Sequence, residues 1–239
     1  HTGSMHYEEG TPKIPAAAIS TKDATQLEKM IQNSDSPFRF VMEMDCQQYP
    51  DMTSYNVIAE MKGSEHPDRI ITIGGHLDSW DVGEGAHDDG AGIVHSMEAL
   101  RILKELNYKP KNTIRVVFFM NEENGNRGGM QYADYAKRSG QQHIIAIESD
   151  RGGFAPRGFD VDGSSDHLAL LRSFQPLLKP YYLHHFEKGY GGVDIGPLKD
   201  QFEEIALFGF VPDSQRYFDF HHNHNDVFEN VNKRELHMG

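Results

Sequence analysis

Cysteine, positive charge and long apolar runs are all scarce in this chain of 239 residues. Its single cysteine, Cys46, cannot form a disulfide within the chain. No run of about 18 apolar residues occurs, so no segment is predicted to span a membrane. The chain has a formal charge of −13, and the negative phosphates of a nucleic acid would repel it. We therefore expect neither an intramolecular disulfide, nor a transmembrane segment, nor nucleic-acid binding.

The chain contains short apolar strands that alternate with amphipathic helices. Strands are predicted over residues 38–46, 54–61, 69–74, 113–120, 143–147 and 204–211. Helices are predicted over residues 22–33, 91–106, 128–139 and 166–178. This alternation indicates an α/β fold around a mixed or mostly parallel central sheet.

Acidic residues and a histidine follow three of the predicted strands at the point where each ends, and two acids precede the helix at 91–106. They are His76, Asp78, Asp88, Asp89, Glu122, Glu123 and Asp150. Sites in open α/β sheets lie at the carboxyl ends of the strands. These side chains are therefore predicted to meet at one edge of one sheet.

Each of these groups also has a simpler interpretation. Asp88 and Asp89 could cap the helix that follows them, and Glu122 and Glu123 could be solvated. Crowded at one sheet edge, however, the carboxylates would repel one another, and divalent cations remove that cost. Histidine combined with carboxylates favours zinc, with cobalt or manganese as substitutes. There is no HExxH helix, which excludes the common single-zinc protease pattern.

The segment YFDFHHNHNDVFENV, residues 217–231, holds three histidines in four positions. It could be a polar surface loop, but the aromatic residues around the histidines indicate a partly buried one. A second histidine ligand from this loop would complete a site for two metal ions.

Four segments in this order and spacing resemble the di-zinc exopeptidases of the aminopeptidase family: GGHLDSWDVGEGAHDDGAG, FMNEENG, IESD and HHNHND. SYNVIAEMKGSE and IESDRGGFAPRGF are particularly similar to its carboxypeptidase Q-like branch. The resemblance covers roughly residues 7–231. It implies a three-layer αβα fold of the zinc exopeptidase type, with a mixed, mostly parallel central sheet.

The resemblance also implies a role for individual residues. Two zinc ions would be held by five ligands, with Asp88 as the bridge: His76, Asp88, Glu123, Asp150 and His222. His222 is preferred to His221 and His224 because it stands four positions before Asp226. Glu122 would be the general base, and Asp78 would support His76. His221 could stabilise an oxyanion, and Tyr190 and Gly191 could line the substrate cleft, although the latter two could equally form a plain turn.

The implied activity is that of a metallopeptidase, a zinc-dependent exopeptidase that hydrolyses the N-terminal bond of dipeptides or short peptides. Two alternatives stay open: a single-zinc transferase like the glutaminyl cyclases, and a non-catalytic, receptor-like binding domain. The expected partner is a peptide, with an oligomer possible. The branch also implies a secreted or periplasmic location.

The two ends of the chain carry further expectations. Residues 1–5 (HTGSM) resemble a remnant of an expression tag, and residues 6–239 are predicted to form one catalytic domain. Related proteins carry an inserted protease-associated domain before this region and a longer C-terminal helix after it. The chain is therefore expected to be shortened at both ends.

Overall fold

The computed structural model describes residue 5 and residues 7–47 and 49–239. Residues 1–4 of the expected tag remnant lie outside this part of the chain. Two compact units are present, His1–Thr53 and Ser54–Gly239, and the prediction of a single domain stays a prediction. No helix among the described residues is long and apolar enough to cross a membrane.

The first unit contains one regular element, helix α1 (Thr21–Gln32), within its described residues. The helix begins after Ser20, whose side chain accepts a hydrogen bond from the backbone N–H of Asp23. The strand predicted over residues 38–46 is wrong, because this segment forms no strand and is exposed. Its residues favour a strand, but an extended segment becomes one only when a neighbour takes up its backbone hydrogen bonds.

The second unit is built around a sheet of seven strands in the order β1-β3-β2-β4-β7-β5-β6. The strands are β1 (Val57–Met61), β2 (His66–His76), β3 (Asn112–Phe119), β4 (Gln142–Glu148), β5 (Pro156–Asp162), β6 (His185–Lys188) and β7 (Ala206–Pro212). The central strands β3, β2, β4 and β7 run parallel to one another. Strands β1 and β5 pair antiparallel with their neighbours. The predicted mixed, mostly parallel sheet is confirmed.

Helices cover both faces of this sheet. They are α2 (Ala91–Glu105), α3 (Arg127–Arg138), α4 (Ser165–Ser173), α5 (Gln175–Leu178) and α6 (Lys233–Met238). Ala146 of β4 packs with Tyr132 and Ala136 of α3, whereas its neighbours Ile145 and Ile147 pack with α4. Because successive side chains of a strand point to opposite faces, α3 and α4 lie on opposite sides. The three-layer αβα fold is thus confirmed.

Two strands were not predicted, and one helix that was predicted as continuous is divided in two. β5 begins with Pro156 and contains Gly158, and β6 is only four residues long, so neither carries a strong strand pattern. The helix predicted over residues 166–178 divides into α4 and α5 at Phe174. The other strands and helices predicted for residues 54–211 lie within a few residues of their expected bounds.

Candidate metal centre

The acidic and histidine side chains meet at the carboxyl edge of the parallel strands. His76 is the last residue of β2, and Asp150 follows β4 by two positions. Glu122 and Glu123 follow β3, and His222 lies in the loop after β7. Parallel strands deliver their last residues to the same edge, which brings residues far apart in sequence together.

Asp88 stands between two groups of these side chains. Its Oδ1 lies 3.2 Å from Nε2 of His76, which is itself 3.4 Å from Oδ1 of Asp150. Its Oδ2 lies 3.2 Å from Nε2 of His222, which is 3.0 Å from Oε2 of Glu123. One carboxylate therefore connects a histidine–aspartate pair on one side with a histidine–glutamate pair on the other.

Several ligand atoms of this cluster are buried without a hydrogen-bond partner among the described residues. They are Nε2 of His76, Oδ2 of Asp88, Oε1 of Glu123 and Oδ1 of Asp150. Buried polar atoms without a partner are rare and costly in native proteins. Convergent imidazole and carboxylate atoms of this kind are the donor set that zinc prefers, so the residues fit the expected metal.

Ligand atoms lie within 4.8 Å of one another in three overlapping sets. These are Asp88 with His221 and His222, His76 with Asp88 and Glu123, and His76 with Asp89 and Asp150. The structure thus brings together all five residues predicted as ligands and adds His221 and Asp89 to their surroundings. The assignment of ligands to individual ions stays a prediction.

Asp78 lies beside Nδ1 of His76 and contacts this imidazole mainly through its main chain. Nδ1 of His76 lies 2.7 Å from the backbone carbonyl oxygen of Asp78 and 3.8 Å from its carboxylate. The carboxylate instead accepts hydrogen bonds from the backbone N–H groups of Glu122 and Glu123. Asp78 therefore fixes the turn that carries these two glutamates, while its main chain orients the imidazole.

Asp89 and Asp226 also hold the site together; the sequence indicated a possible helix cap for Asp89 and no structural role for Asp226. Asp89 accepts hydrogen bonds from the backbone N–H groups of His76 and Gly92. Asp226 accepts from the backbone N–H groups of His87 and Asp88. Both carboxylates are buried, so they fix the backbone on either side of Asp88.

Proton affinities in the cluster reflect burial and crowding. Burial disfavours the charged imidazole of His76, but the close carboxylates of Asp150 and Asp88 outweigh it and hold its pKa well above the usual range. Burial likewise disfavours the charged form of Asp88, but the imidazoles of His222 and His76 outweigh it and lower its pKa. Asp88 is therefore ionised, as a carboxylate between two cations would have to be.

Glu122 lies close to the ligands, with its Oε2 4.0 Å from Nε2 of His76. Burial, followed by the charges of Asp150 and Asp88, raises the pKa of Glu122 to about 7. A carboxylate whose pKa lies near neutrality is suited to exchange protons with a reacting group. This environment separates Glu122 from an ordinary solvated glutamate.

Two further acids lie behind the site without an assignment from the sequence. Burial raises the pKa of Glu148 to about 8 and that of Asp194 to about 9. Glu148 accepts hydrogen bonds from the backbone N–H groups of Val193 and Ile195. Glu148 and the backbone from Tyr190 to Val193 line a cleft beside Asp150, so Tyr190 and Gly191 do lie next to the cluster.

Trp80 and His221 complete the surroundings of His222. The ring of Trp80 lies 5.2 Å from that of His222, and the ring of His221 stacks on the ring of His222 at 3.5 Å. Nε2 of His221 lies 3.6 Å from Oδ2 of Asp88. Burial lowers the pKa of His221 to about 4, so its imidazole is neutral near pH 7.

The fold and this cluster define a class of protein: an α/β protein with a two-sided histidine–carboxylate site at the carboxyl edge of its sheet, next to the partly buried Glu122. The family described as "Peptidase family M28" matches residues 56–238. The chain belongs to this peptidase family, and membership confirms the resemblance on which the predicted metallopeptidase class depends.

The chain is similar to carboxypeptidase Q of Bos taurus, with 36% identity over 241 aligned residues. The alignment includes 100% of this chain and 50% of that protein. The chain therefore spans about half the length of this relative.

Solved structures of other proteins share this fold. A peptidase M28 precursor from Shewanella amazonensis superposes with a TM-score of 0.85 at 36% identity, over 100% of this chain and 53% of that one. A zinc aminopeptidase from Bacillus subtilis superposes with a TM-score of 0.60 at 22% identity, over 76% of this chain and 46% of that one. The second likeness is one of fold alone.

Proposed function

We propose that the chain is the catalytic region of a zinc-dependent exopeptidase that hydrolyses the N-terminal peptide bond of dipeptides or short peptides. The observation that carries this proposal is the position of Asp88, with one carboxylate oxygen near His76 and the other near His222. A carboxylate placed in this way can bridge two cations. Membership of a peptidase family supports the activity.

His76 and Asp150 would hold one zinc ion, His222 and Glu123 the other, and Asp88 both. Bound zinc would activate a water molecule and polarise the scissile carbonyl group. Asp78 and Asp226 hold the ligands in place through the backbone of Glu123 and Asp88. Supporting carboxylates of this kind orient ligands and raise metal affinity.

Glu122 would act as the general base. It takes a proton from the attacking water molecule, whose oxygen bonds to the carbonyl carbon, and delivers that proton to the leaving amine as the C–N bond breaks. The neutral imidazole of His221 would donate a hydrogen bond to the oxygen that becomes negative during the attack. A free amino terminus is positively charged and suits the acidic surroundings of this centre.

Zinc content and hydrolysis, measured on the same preparation, test the proposal. We expect about two zinc ions per chain and hydrolysis of a small dipeptide panel that is lost on metal removal and restored by zinc. His222→Ala should lower both the zinc content and the rate. His184→Ala changes an exposed histidine outside the centre and should alter neither.

The same measurements separate the alternatives. One zinc ion per chain, with cyclisation of a peptide that begins with glutamine, would favour the transferase. A folded protein that holds no zinc and hydrolyses no peptide would favour the receptor-like binding domain. Hydrolysis that survives complete zinc removal would contradict the proposal. The secreted or periplasmic location stays a prediction.

A further inference from the structure

A cleft opens beside Asp150, between β7 and the glycine-rich turn that follows β6. About 270 Å³ of empty space, part of it open solvent, lies there, and Glu148, Asp150, Tyr190 and Gly192 contribute to its walls. A Cβ atom at Gly192 would overlap with the carboxylate of Glu148, so the turn lies directly on that acid. A group bound in this cleft would lie next to the proposed metal ligands.

Arg151 is the one cationic side chain among the described residues that line this cleft. It follows Asp150 directly in the sequence, and its side chain is 30% exposed. The other ionisable residues of the described lining are Glu148, Asp150 and Tyr190, and none of them can carry a positive charge. Arg151 is therefore the one group of this lining that can attract a negatively charged ligand.

Asp160 holds the guanidinium group of Arg151 in place. Nη1 of Arg151 donates to Oδ2 of Asp160 at 2.8 Å, and Nε2 of His185 lies 2.8 Å from Oδ1 of the same carboxylate. Among the described residues, Asp160 is the only hydrogen-bond acceptor that this guanidinium group contacts. Guanidinium carries five N–H donors in a rigid fork, so an oriented set of donors is left for a ligand.

We propose that Arg151 recognises a carboxylate group of the substrate and selects for substrates that carry one close to the scissile bond. This inference rests on the proposed peptidase function. An arginine fixed by one carboxylate can bind a second through its other N–H groups, and such charge-assisted pairs are strong and directional. In a dipeptide the C-terminal carboxylate lies one residue beyond the scissile bond, and an acidic side chain offers the same chemistry.

Matched substrates distinguish the two sources of the carboxylate. Ala-Ala compared with its C-terminal amide tests the terminal carboxylate, and Ala-Glu amide compared with Ala-Gln amide tests a side-chain carboxylate. For the zinc-loaded wild type we expect a higher kcat/KM for the carboxylate member of at least one pair. Arg151→Gln should reduce that preference by about 10- to 100-fold, mainly through KM.

Arg157→Gln is the matched control. Arg157 pairs with Asp213 at 3.0 Å and is 31% exposed, much like Arg151, but it lies outside the cleft. This variant should keep the preference of the wild type. If Arg151→Gln lowered kcat/KM equally for both members of each pair, or changed neither, the inference would be overturned. If the wild type hydrolysed none of the four substrates, the proposed function itself would fail.

Binding gives a second readout that does not depend on turnover. In a Glu122→Gln background, where hydrolysis is expected to be slow, calorimetry can measure the affinity of both members of the pair between which the wild type discriminates. Adding Arg151→Gln should weaken binding of the preferred carboxylate ligand by the factor seen in KM. An unchanged affinity in the folded double variant would contradict carboxylate recognition by Arg151.

Discussion

Oδ2 of Asp226 accepts a hydrogen bond of 3.1 Å from the backbone N–H of Asp88, a residue 138 positions earlier in the chain. Its Oδ1 accepts a second bond, of 2.6 Å, from the backbone N–H of His87. Both oxygens of one buried carboxylate thus hold the backbone at the residue that stands between the two halves of the centre. The loop after β7 supplies both a proposed ligand, His222, and the group that positions Asp88.

Replacing Asp226 by asparagine should weaken zinc binding. The amide nitrogen of Asp226→Asn would face a backbone N–H, which leaves two donors opposed at a cost of about 1–3 kcal/mol. We expect the zinc affinity to fall roughly 10- to 100-fold, as measured by competition with a chromogenic chelator. Asp213→Asn, at a half-exposed carboxylate paired with Arg157, is the control. Equal zinc affinities in the two folded variants would show that Asp226 does not support the centre.

Gly92 is required at the start of α2 because the backbone passes close to two oxygen-bearing groups. A Cβ atom there would overlap with the carbonyl oxygen of Ser149 and the carboxylate of Asp89. Gly92→Ala should therefore lower the free energy of unfolding by about 1–3 kcal/mol. Gly196→Ala, where no atom lies within 4 Å of the added carbon, should change it by less than about 0.5 kcal/mol. Urea unfolding measures both, and equal midpoints would refute the steric argument.

His143 links the stability of the fold to pH at a place remote from the centre. Its ring is buried and stacks on the ring of Phe202, with 5.0 Å between the ring centres. Its Nε2 atom lies 3.0 Å from the hydroxyl oxygen of Tyr132. Burial, and then the charge of Arg115, lowers the pKa of His143 to about 4 from an ordinary value of 6.5. Between these two values the unfolded chain binds more protons, so stability falls as the pH decreases from 6.5 to 4.

The difference between the folded and unfolded pKa values of His143 corresponds to about 3 kcal/mol in the free energy of unfolding. His143→Gln removes the titrating group, so its free energy of unfolding should depend less steeply on pH in this range than that of the wild type. Both proteins keep the metal centre, and its own pH dependence therefore cancels in the comparison. His184→Gln, at an exposed histidine, should follow the wild type. Identical pH slopes for the wild type and His143→Gln would disprove the assignment.

The sequence predicted the parallel centre of the sheet well because those strands are apolar on both faces. β3, for example, ends in four consecutive apolar residues, VVFF. Val116 and Val117 point to opposite faces and are both buried, which is typical of a strand between two helical layers. The ends of these strands also predicted which acids and histidines would meet. Positions at strand ends depend only on topology, so the sequence alone predicts that His76, Glu123 and Asp150 lie close together.

Residues that act through the backbone could not be predicted in this way. Asp226 binds the N–H groups of His87 and Asp88, which only the folded chain brings near, and no local pattern marks it. The place of Asp89 before α2 indicated a helix cap, but not its bond to the N–H of His76. Asp194 is buried with both carboxylate oxygens unpartnered in the described structure, yet its segment reads as an ordinary glycine-rich turn. The edge strand β6 was missed because half of its residues are exposed and its sequence, HFEK, is mostly polar.

The rate of Glu122→Gln tests the central claim most directly. Glutamine keeps the size of the side chain and cannot accept the proton, so kcat for a dipeptide should fall by about 100- to 10,000-fold. The zinc content, measured on the same samples, should remain that of the wild type because Glu122 is not a proposed ligand. A fall in kcat of this size at unchanged zinc content is the result expected here. Equal rates for the two proteins would contradict the proposed mechanism.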